Sequence, residues 1–256
     1  MTLNLFDDAN ASNLVNYIRL SSSNMYKSLE KLSSGFKINS ASDGPAMLII
    51  SERLRSQIAS LNQEIENRVA QVHKYDTASS HLMTYRHQLT ELRTLAIGAA
   101  NEGVNSEAAQ EAYALEAQNM VTYYNEAVGS AEYNGAMLFD GSAGSLGDLA
   151  ALEGIDLSSA ETAEASIAVI DEAIAEVDSL QVEIGSTQRY EFQSQIASMR
   201  VTSQNLQAAE SSIRDTDYAM EFSNFLAQQI KYEAGLAILS HWAMSSNSVL
   251  QLLGSR

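Results

Sequence analysis

The residues best suited to acid–base or metal chemistry near neutral pH are four histidines, His73, His81, His87 and His241. A catalytic zinc helix needs two histidines four apart around a glutamate, His-Glu-x-x-His, and no such spacing occurs. His87 and Glu91 stand four apart on one helical face, where a solvated side-chain pair accounts for both. The carboxylates are numerous but spread along the chain, the pattern of a charged outer face and not of a converging acid–base pair. Gly141 to Gly147 has neither the P-loop nor the dinucleotide spacing, and it sits in a loop instead of between strand and helix. Trp242 falls in an apolar run and reads as core. Cysteine is absent, which removes disulfides and thiolate metal sites. The chemistry expected is therefore that of a non-enzyme with no cofactor and no metal.

The elements that would position these residues are helices. Among 256 residues there are 13 glycines and one proline, too few breaks for anything but long elements. From Leu54 the apolar positions Ile58, Leu61, Ile65, Val69, Val72, Tyr75, Ala78, Leu82, Tyr85, Leu89, Leu92 and Ala96 follow in steps of four and three, which predicts a rod of roughly 80 Å at 1.5 Å per residue. A second such pattern runs from Ala160 through Ile167, Ile170, Ile174, Val177, Gln181, Ile184, Gln188, Phe192, Ile196, Met199, Ser203, Leu206 and Ile213, with Gly185 as a point for a local kink. Asn10–Leu32 predicts a first helix, closed by Ser33-Ser34-Gly35 and the turn residues 39–45. Glu107–Val128 predicts a shorter one with Ala112, Leu115, Asn119 and Tyr123 or Thr122 on its inner face. Tyr133-Asn134-Gly135 is a turn, and Asp140 to Gly147 is a flexible loop rich in glycine and serine. A last helix starts near Asp215-Thr216-Asp217 and reaches about Met244, with Phe222, Phe225, Gln229, Tyr232, Leu236 and Leu239 on heptad steps and Leu226, Ile230 and Ile238 as a second stripe.

Both ends are more apolar than one folded chain can bury. Leu236, Ile238, Leu239, Trp242 and Met244 point almost all round their helix, and Val249-Leu250-Gln251-Leu252-Leu253 repeats the demand. The run is too short for a bilayer, which takes about 20 apolar residues, so the neighbours expected are protein and no membrane insertion is expected. Charge divides the same way. The formal net charge is -17. Residues 1–40 set Asp7, Asp8 and Glu30 against Arg19, Lys27, Lys31 and Lys37, and residues 211–256 set Asp215, Asp217, Glu221 and Glu233 against Arg214, Lys231 and Arg256, so the ends are nearly neutral and the middle carries the charge. Near-neutral ends suit a crowded interior, an acidic middle suits solvent, and nucleic acid, which requires a basic face, is excluded as a partner. Residues 1–18 lack the pattern of a cleaved secretory leader.

Several stretches then resemble bacterial flagellin: Leu29–Ala41 (LEKLSSGFKINSA), Ile50–Ile58 (ISERLRSQI), Ala208–Asp217 (AAESSIRDTD), Asn247–Leu253 (NSVLQLL), and Tyr133-Asn134-Gly135 with Leu138 in place of the family's Phe-Asn-Gly turn. The resemblance covers both ends and most of the middle. It implies an all-α fold: a long antiparallel helical hairpin or coiled-coil bundle whose terminal helices pair in a filament inner core, with long helices forming an outer tube. The interval Asp140–Ala160 implies a minimal form without outer variable domains, its β-hairpin shortened or missing. There are departures. Asp43-Gly44-Pro45-Ala46-Met47 replaces the family's Asp-Asp-Ala-Ala-Gly and is closer to the hook-filament junction protein, the alternative reading, with a secreted or signalling coiled-coil rod more distant. His241-Trp242 replaces small polar residues. Flagellins detected by a vertebrate Toll-like receptor carry Leu-Gln-Arg-x-Arg-Glu-Leu where this chain has Leu89, Thr90, Glu91, Leu92, Arg93, Thr94 and Leu95, so Glu91 reverses the contacting charge and weak receptor activation is expected.

The expectation is a secreted structural protein that self-assembles into the flagellar filament for motility, exported by the flagellar type III route without cleavage. The partners expected are copies of itself and, by the resemblance, an export chaperone, cap and hook-associated proteins. Segments are expected at 1–43 (N-terminal inner core), 44–139 (outer core), 140–160 (short loop), 161–212 (outer core) and 213–256 (C-terminal inner core). Inner-core assembly is assigned to Leu14, Ile18, Leu29, Leu32, Phe222, Phe225, Leu226, Ile230, Leu236 and Leu239. Outer-core packing is assigned to Leu54, Ile58, Leu61, Ile65, Leu89, Leu92, Ile174, Val177, Ile196 and Met199, and the receptor counterpart to Leu89, Thr90, Glu91, Arg93 and Leu95.

Overall fold

The computed structural model describes the backbone of residues 3–101, 103 and 105–254, and the side chains of residues 10–101, 103 and 105–245. The chain folds as α1 (Leu3–Ser34), α2 (Pro45–Ala99), α3 (Glu107–Gly129), β1 (Glu132–Tyr133), β2 (Ala136–Met137), α4 (Ala160–Ser186), a π-helical segment (Thr187–Phe192), α5 (Gln193–Arg214) and α6 (Tyr218–Gly254). Its helix starts follow local chemistry. Pro45 opens α2, where a missing N–H costs nothing. The Ser106 hydroxyl accepts from the Ala109 N–H at the head of α3, and Ser159 and Thr162 form a capping box at α4. Asp217 accepts from the Ala219 and Met220 N–H groups and starts α6. Asn134 and Gly135, with φ of 53° and 77°, make the turn between β1 and β2, the conformation a two-residue hairpin favours.

Two compact units emerge, residues 1–60 with 203–256 and residues 61–202. In the second, Leu82, Tyr85, Leu89 and Leu92 of α2, Ala117, Tyr124 and Val128 of α3, and Ile170, Val177 and Ile184 of α4 are buried together. The Tyr85 hydroxyl donates to the Ala127 carbonyl (2.8 Å), so its one polar group enters the core satisfied. Polar ties run along the flank of α2. Gln188 donates to Asp76 (2.5 Å), Arg86 pairs with Asp178 (2.7 Å), and Arg93 meets Asp171 through two nitrogens (2.5 and 3.3 Å). Ten residues forward along α2 match ten backward along the partner, then seven match seven, which is the register of an antiparallel pair.

Three sequence expectations are corrected here. The inner face of α3 is Tyr113, Ala117, Met120, Tyr124 and Val128, whereas Leu115 and Tyr123 are each 63% exposed. Two apolar stripes run one residue apart on this helix, and the edge-on contact of Tyr124 with Tyr85 (5.7 Å) selects one. The segment after Asp140 is a packed strap and not a flexible loop. Leu149, Leu152 and Leu157 are buried, worth about 1.5–3 kcal/mol each. The Asn125 amide brackets the Leu152 backbone from both sides (3.1 and 2.8 Å), and the Ser166 hydroxyl does the same for Asp156 (3.0 and 3.0 Å). Gly185 continues α4. The irregularity comes just after it, where the spacing of buried positions lengthens from seven residues (Ile170, Val177, Ile184) to eight (Phe192), and the π turn absorbs the extra residue.

Candidate assembly surface

The first unit is built on α1 and α6, which run antiparallel. Lys31 lies 3.7 Å from Glu221 at one end, a Cβ on Gly235 would lie 2.7 Å from Ile18 Cγ1 in the middle, and Leu14 and Trp242 line one groove at the other end. The inward positions on α1 are Ala11, Leu14, Ile18, Ser21, Met25, Ser28 and Leu32, and on α6 they are Glu221, Phe225, Gln228, Tyr232, Gly235, Leu239 and Trp242. Both series step by three and four, the seam of a two-helix coiled coil. Ser21, Ser28 and Gly235 are the small residues of the seam, and the Ile18 side chain packs against Gly235.

Of the residues assigned to the inner core, the seam brings together Leu14, Ile18, Leu32, Phe225 and Leu239. Leu29, Phe222, Leu226, Ile230 and Leu236 are exposed, Ile230 by 67%. The sequence reading had Gln229 and Leu236 on the seam; Gln229 is half-buried beside Gln228, whereas the inward position expected for Leu236 is taken by the buried Gly235. Leu29 is on α1; on α6 Phe222, Leu226 and Ile230 follow in steps of four as an exposed apolar stripe, and Leu236 and Ile238 are exposed to either side of the seam. The side chains of Asn247 to Leu253, also assigned an apolar role, lie outside the described residues. Leu54, Ile58, Leu61, Ile65, Ile174 and Met199 are half-buried, and Leu89, Leu92, Val177 and Ile196 are buried.

The positions matched to the receptor stretch separate into two groups. Leu89 is wholly buried and cannot contact a partner, and Arg93 is held by Asp171. Thr90 and Glu91 are exposed, with Glu91 3.4 Å from His87, and Leu95 is half-buried. His73 lies 3.9 Å from Asp76 on the surface. Among the described residues no group of three or more histidines and carboxylates is placed to hold a metal ion, and no helix is long and apolar enough to cross a membrane.

Charge is segregated more sharply than a division into thirds suggests. Between Thr94 and Gln188 there are 17 carboxylates and no lysine, arginine or histidine. Here α3, the strap and α4 crowd their own acids. Burial, then the Asp148 and Glu172 carboxylates, push the Glu176 carboxyl above its ordinary value.

Two family models match the chain: the bacterial flagellin N-terminal helical region over residues 7–144 and the C-terminal helical region over residues 167–253. The chain belongs to the bacterial flagellin family. Flagellin of Halalkalibacterium halodurans is 32% identical over 89% of this chain and 91% of its own length. The flagellar filament 33 kDa core protein of Treponema phagedenis is 29% identical, with the same coverage. Flagellin of Bacillus subtilis is 28% identical over 95% of this chain and 97% of its own. A crystal structure of Bacillus cereus flagellin aligns to 52% of this chain and 88% of that one, with a TM-score of 0.44 and 20% identity. Only residues 145–166 separate the two matched flagellin regions, and the strap occupies most of them, so this is a flagellin of minimal form.

Proposed function

We infer that this flagellin is a structural subunit that assembles with copies of itself into an extracellular flagellar filament for motility. The observation that carries the reading is the apolar surface of Phe222, Leu226, Ile230, Leu236 and Ile238, left exposed on α6 around a seam that α1 has already filled. Each Å² of such surface taken from water is worth about 25 cal/mol, so a stripe of large side chains favours association. A stripe that meets a different surface of the next copy makes a heterologous contact, and when its rotation does not close, the product is an open helix and not a ring. In this reading α1 and α6 build the inner core, the outer tube comes from α2, α4 and α5, and the acidic face meets water. Export by the flagellar type III route without cleavage, and an export chaperone, cap and hook-associated proteins as partners, are the finer expectations supported by family resemblance.

Electron microscopy of the concentrated full chain beside a chain lacking residues 211–256 tests this. The full chain is expected to give filaments, and the truncated one helical monomers. Filaments from the truncated chain would overturn the reading. A weak response from the innate receptor belongs to the same proposal. Glu91 presents a carboxylate where receptor-active flagellins present a guanidinium, and a reversed interfacial charge costs on the order of several kcal/mol. Strong signalling by purified monomer in a receptor reporter assay would refute it.

A further inference from the structure

Where α1 gives way to α2, and α5 to α6, the chain leaves helical geometry in two short stretches that are hydrogen-bonded to each other. The Lys37 N–H donates to the Arg214 carbonyl (2.8 Å), the Thr216 N–H to the Gly35 carbonyl (2.9 Å), and the Lys37 ammonium to the Ser212 carbonyl (2.7 Å). A second side chain, Arg214, crosses the node beside that of Lys37. The Arg214 guanidinium lies over the Phe36 ring, 4.5 Å from its centroid, and its Nη1 donates to Glu52 Oε1 (2.9 Å) in the second turn of α2. The Arg214 side chain is only 12% exposed, whereas that of Glu52 is 55% exposed.

An ion pair with so exposed a carboxylate adds little to stability. What the arrangement does supply is direction. A planar guanidinium that lies over a ring on one segment and donates through one nitrogen to another fixes orientation as well as distance, which a lysine ammonium on a flexible stem does not. The segments held are Phe36, which continues from α1, and Glu52, on α2, while the residue holding them closes α5 just before α6.

We propose that Arg214 is a positioning residue for assembly: by clamping Phe36 and Glu52 it sets the direction of the α1–α6 pair, and through it the helical twist of the polymer. This rests on the filament reading above. The apolar stripe of each copy arrives on its neighbour at an angle fixed at the node, and an angular change too small to disturb the subunit is repeated at every step of the helix.

The test compares full-length parent, Arg214→Lys, Arg214→Ala, Phe36→Leu and Glu52→Gln. Thermal unfolding of the monomers is followed by circular dichroism, and twist per subunit and filament shape are measured by electron microscopy under one set of ionic conditions. Arg214→Lys and Phe36→Leu are expected to fold with melting temperatures near that of the parent and to form filaments with a shifted twist, and Glu52→Gln to shift it less. A structural role alone would lower the melting temperature and leave the twist of any filaments unchanged. Parental twist in both Arg214→Lys and Phe36→Leu filaments overturns the proposal, and these two variants decide it if Arg214→Ala does not fold. Failure of the parent chain to assemble overturns the filament reading, a result distinct from filaments of unchanged twist.

Discussion

Two single-residue deletions in the same helical stretch should differ sharply in cost. Tyr190 lies in the π segment with 72% of its surface exposed, and Ala175 is exposed on α4. Removing Tyr190 turns the eight-residue interval between Ile184 and Phe192 into seven, the interval used upstream, so the wide turn can close to an ordinary one with Phe192 and Ile196 still inward. The Gln193 N–H, which now reaches five residues back to the Gln188 carbonyl, would find its partner four back. The expected change is less than about 1 kcal/mol, or about 2–4 °C in melting temperature. Removing Ala175 offers no wide turn to close. One residue is about 100° of helix, so Ala163, Ser166 and Ile170 cannot stay in the core together with Val177, Leu180 and Ile184. Losing the second trio removes about 5–9 kcal/mol at about 1.5–3 kcal/mol per side chain, comparable with a typical whole-domain stability of about 5–15 kcal/mol. Thermal and urea unfolding followed by circular dichroism read both variants. If the Tyr190 deletion proves as damaging as the Ala175 deletion, the explanation of the π turn as an absorbed extra residue is wrong.

Gly235→Leu should separate α1 from α6, because its Cβ would sit 2.7 Å from Ile18 Cγ1; a cost of about 1–3 kcal/mol and loss of filament formation are expected from denaturation and electron microscopy. Tyr85→Phe removes the hydroxyl bonded to Ala127 and should cost about 1 kcal/mol by urea denaturation. Burial pushes the Tyr85 and Tyr124 hydroxyls up to about 12 from an ordinary 10, with Glu176 adding to the shift of Tyr124. The unfolded chain therefore ionises first, and stability should be intact below pH 10 and fall from there to pH 12, a fall that the Tyr85→Phe variant shows less of. Glu176 has the opposite consequence at neutral pH. Its folded pKa is raised above the ordinary 4.5, so the ionised form burdens the fold, and Glu176→Gln should raise the melting temperature at pH 7 with the gain vanishing below about pH 4.5.

The inner stripe of α2 was legible because nearly every inward position is a large apolar residue and no rival stripe competes. On α3 the rival existed: Leu115 and Tyr123 are as apolar as Tyr113 and Tyr124, and only the neighbouring Tyr85 decides between them. On α6 the seam was misplaced for a different reason. Large residues mark the pattern in the sequence, yet opposite a large inward side chain such as Ile18 the facing position must be small, so Gly235 belongs to the interface and Leu236 does not. The strap hid its role because Leu146, Leu149 and Leu152 stand among glycines and alanines that read as loop, and Leu152 is tied down by Asn125, far away in sequence. The eight-residue interval at Ile184–Phe192 belongs to three successive steps of four, Ile184 to Gln188 to Phe192 to Ile196, and that spacing was the available sign of the π turn.

The equal-step ties of α2 to α4 and the π segment that continues it also determine where chain length can vary. An insertion in one of these helices displaces every tie beyond it unless the other helix gains a residue at the mirrored place, so indels there must come in matched pairs or not at all. Leu149, Leu152 and Leu157 anchor the later part of the strap, but its tip at Ser142–Gly144 is exposed and lies before those anchors. A whole extra module could be spliced at that tip without shifting a single tie below it, which makes these three residues the natural port for grafting cargo onto the molecule.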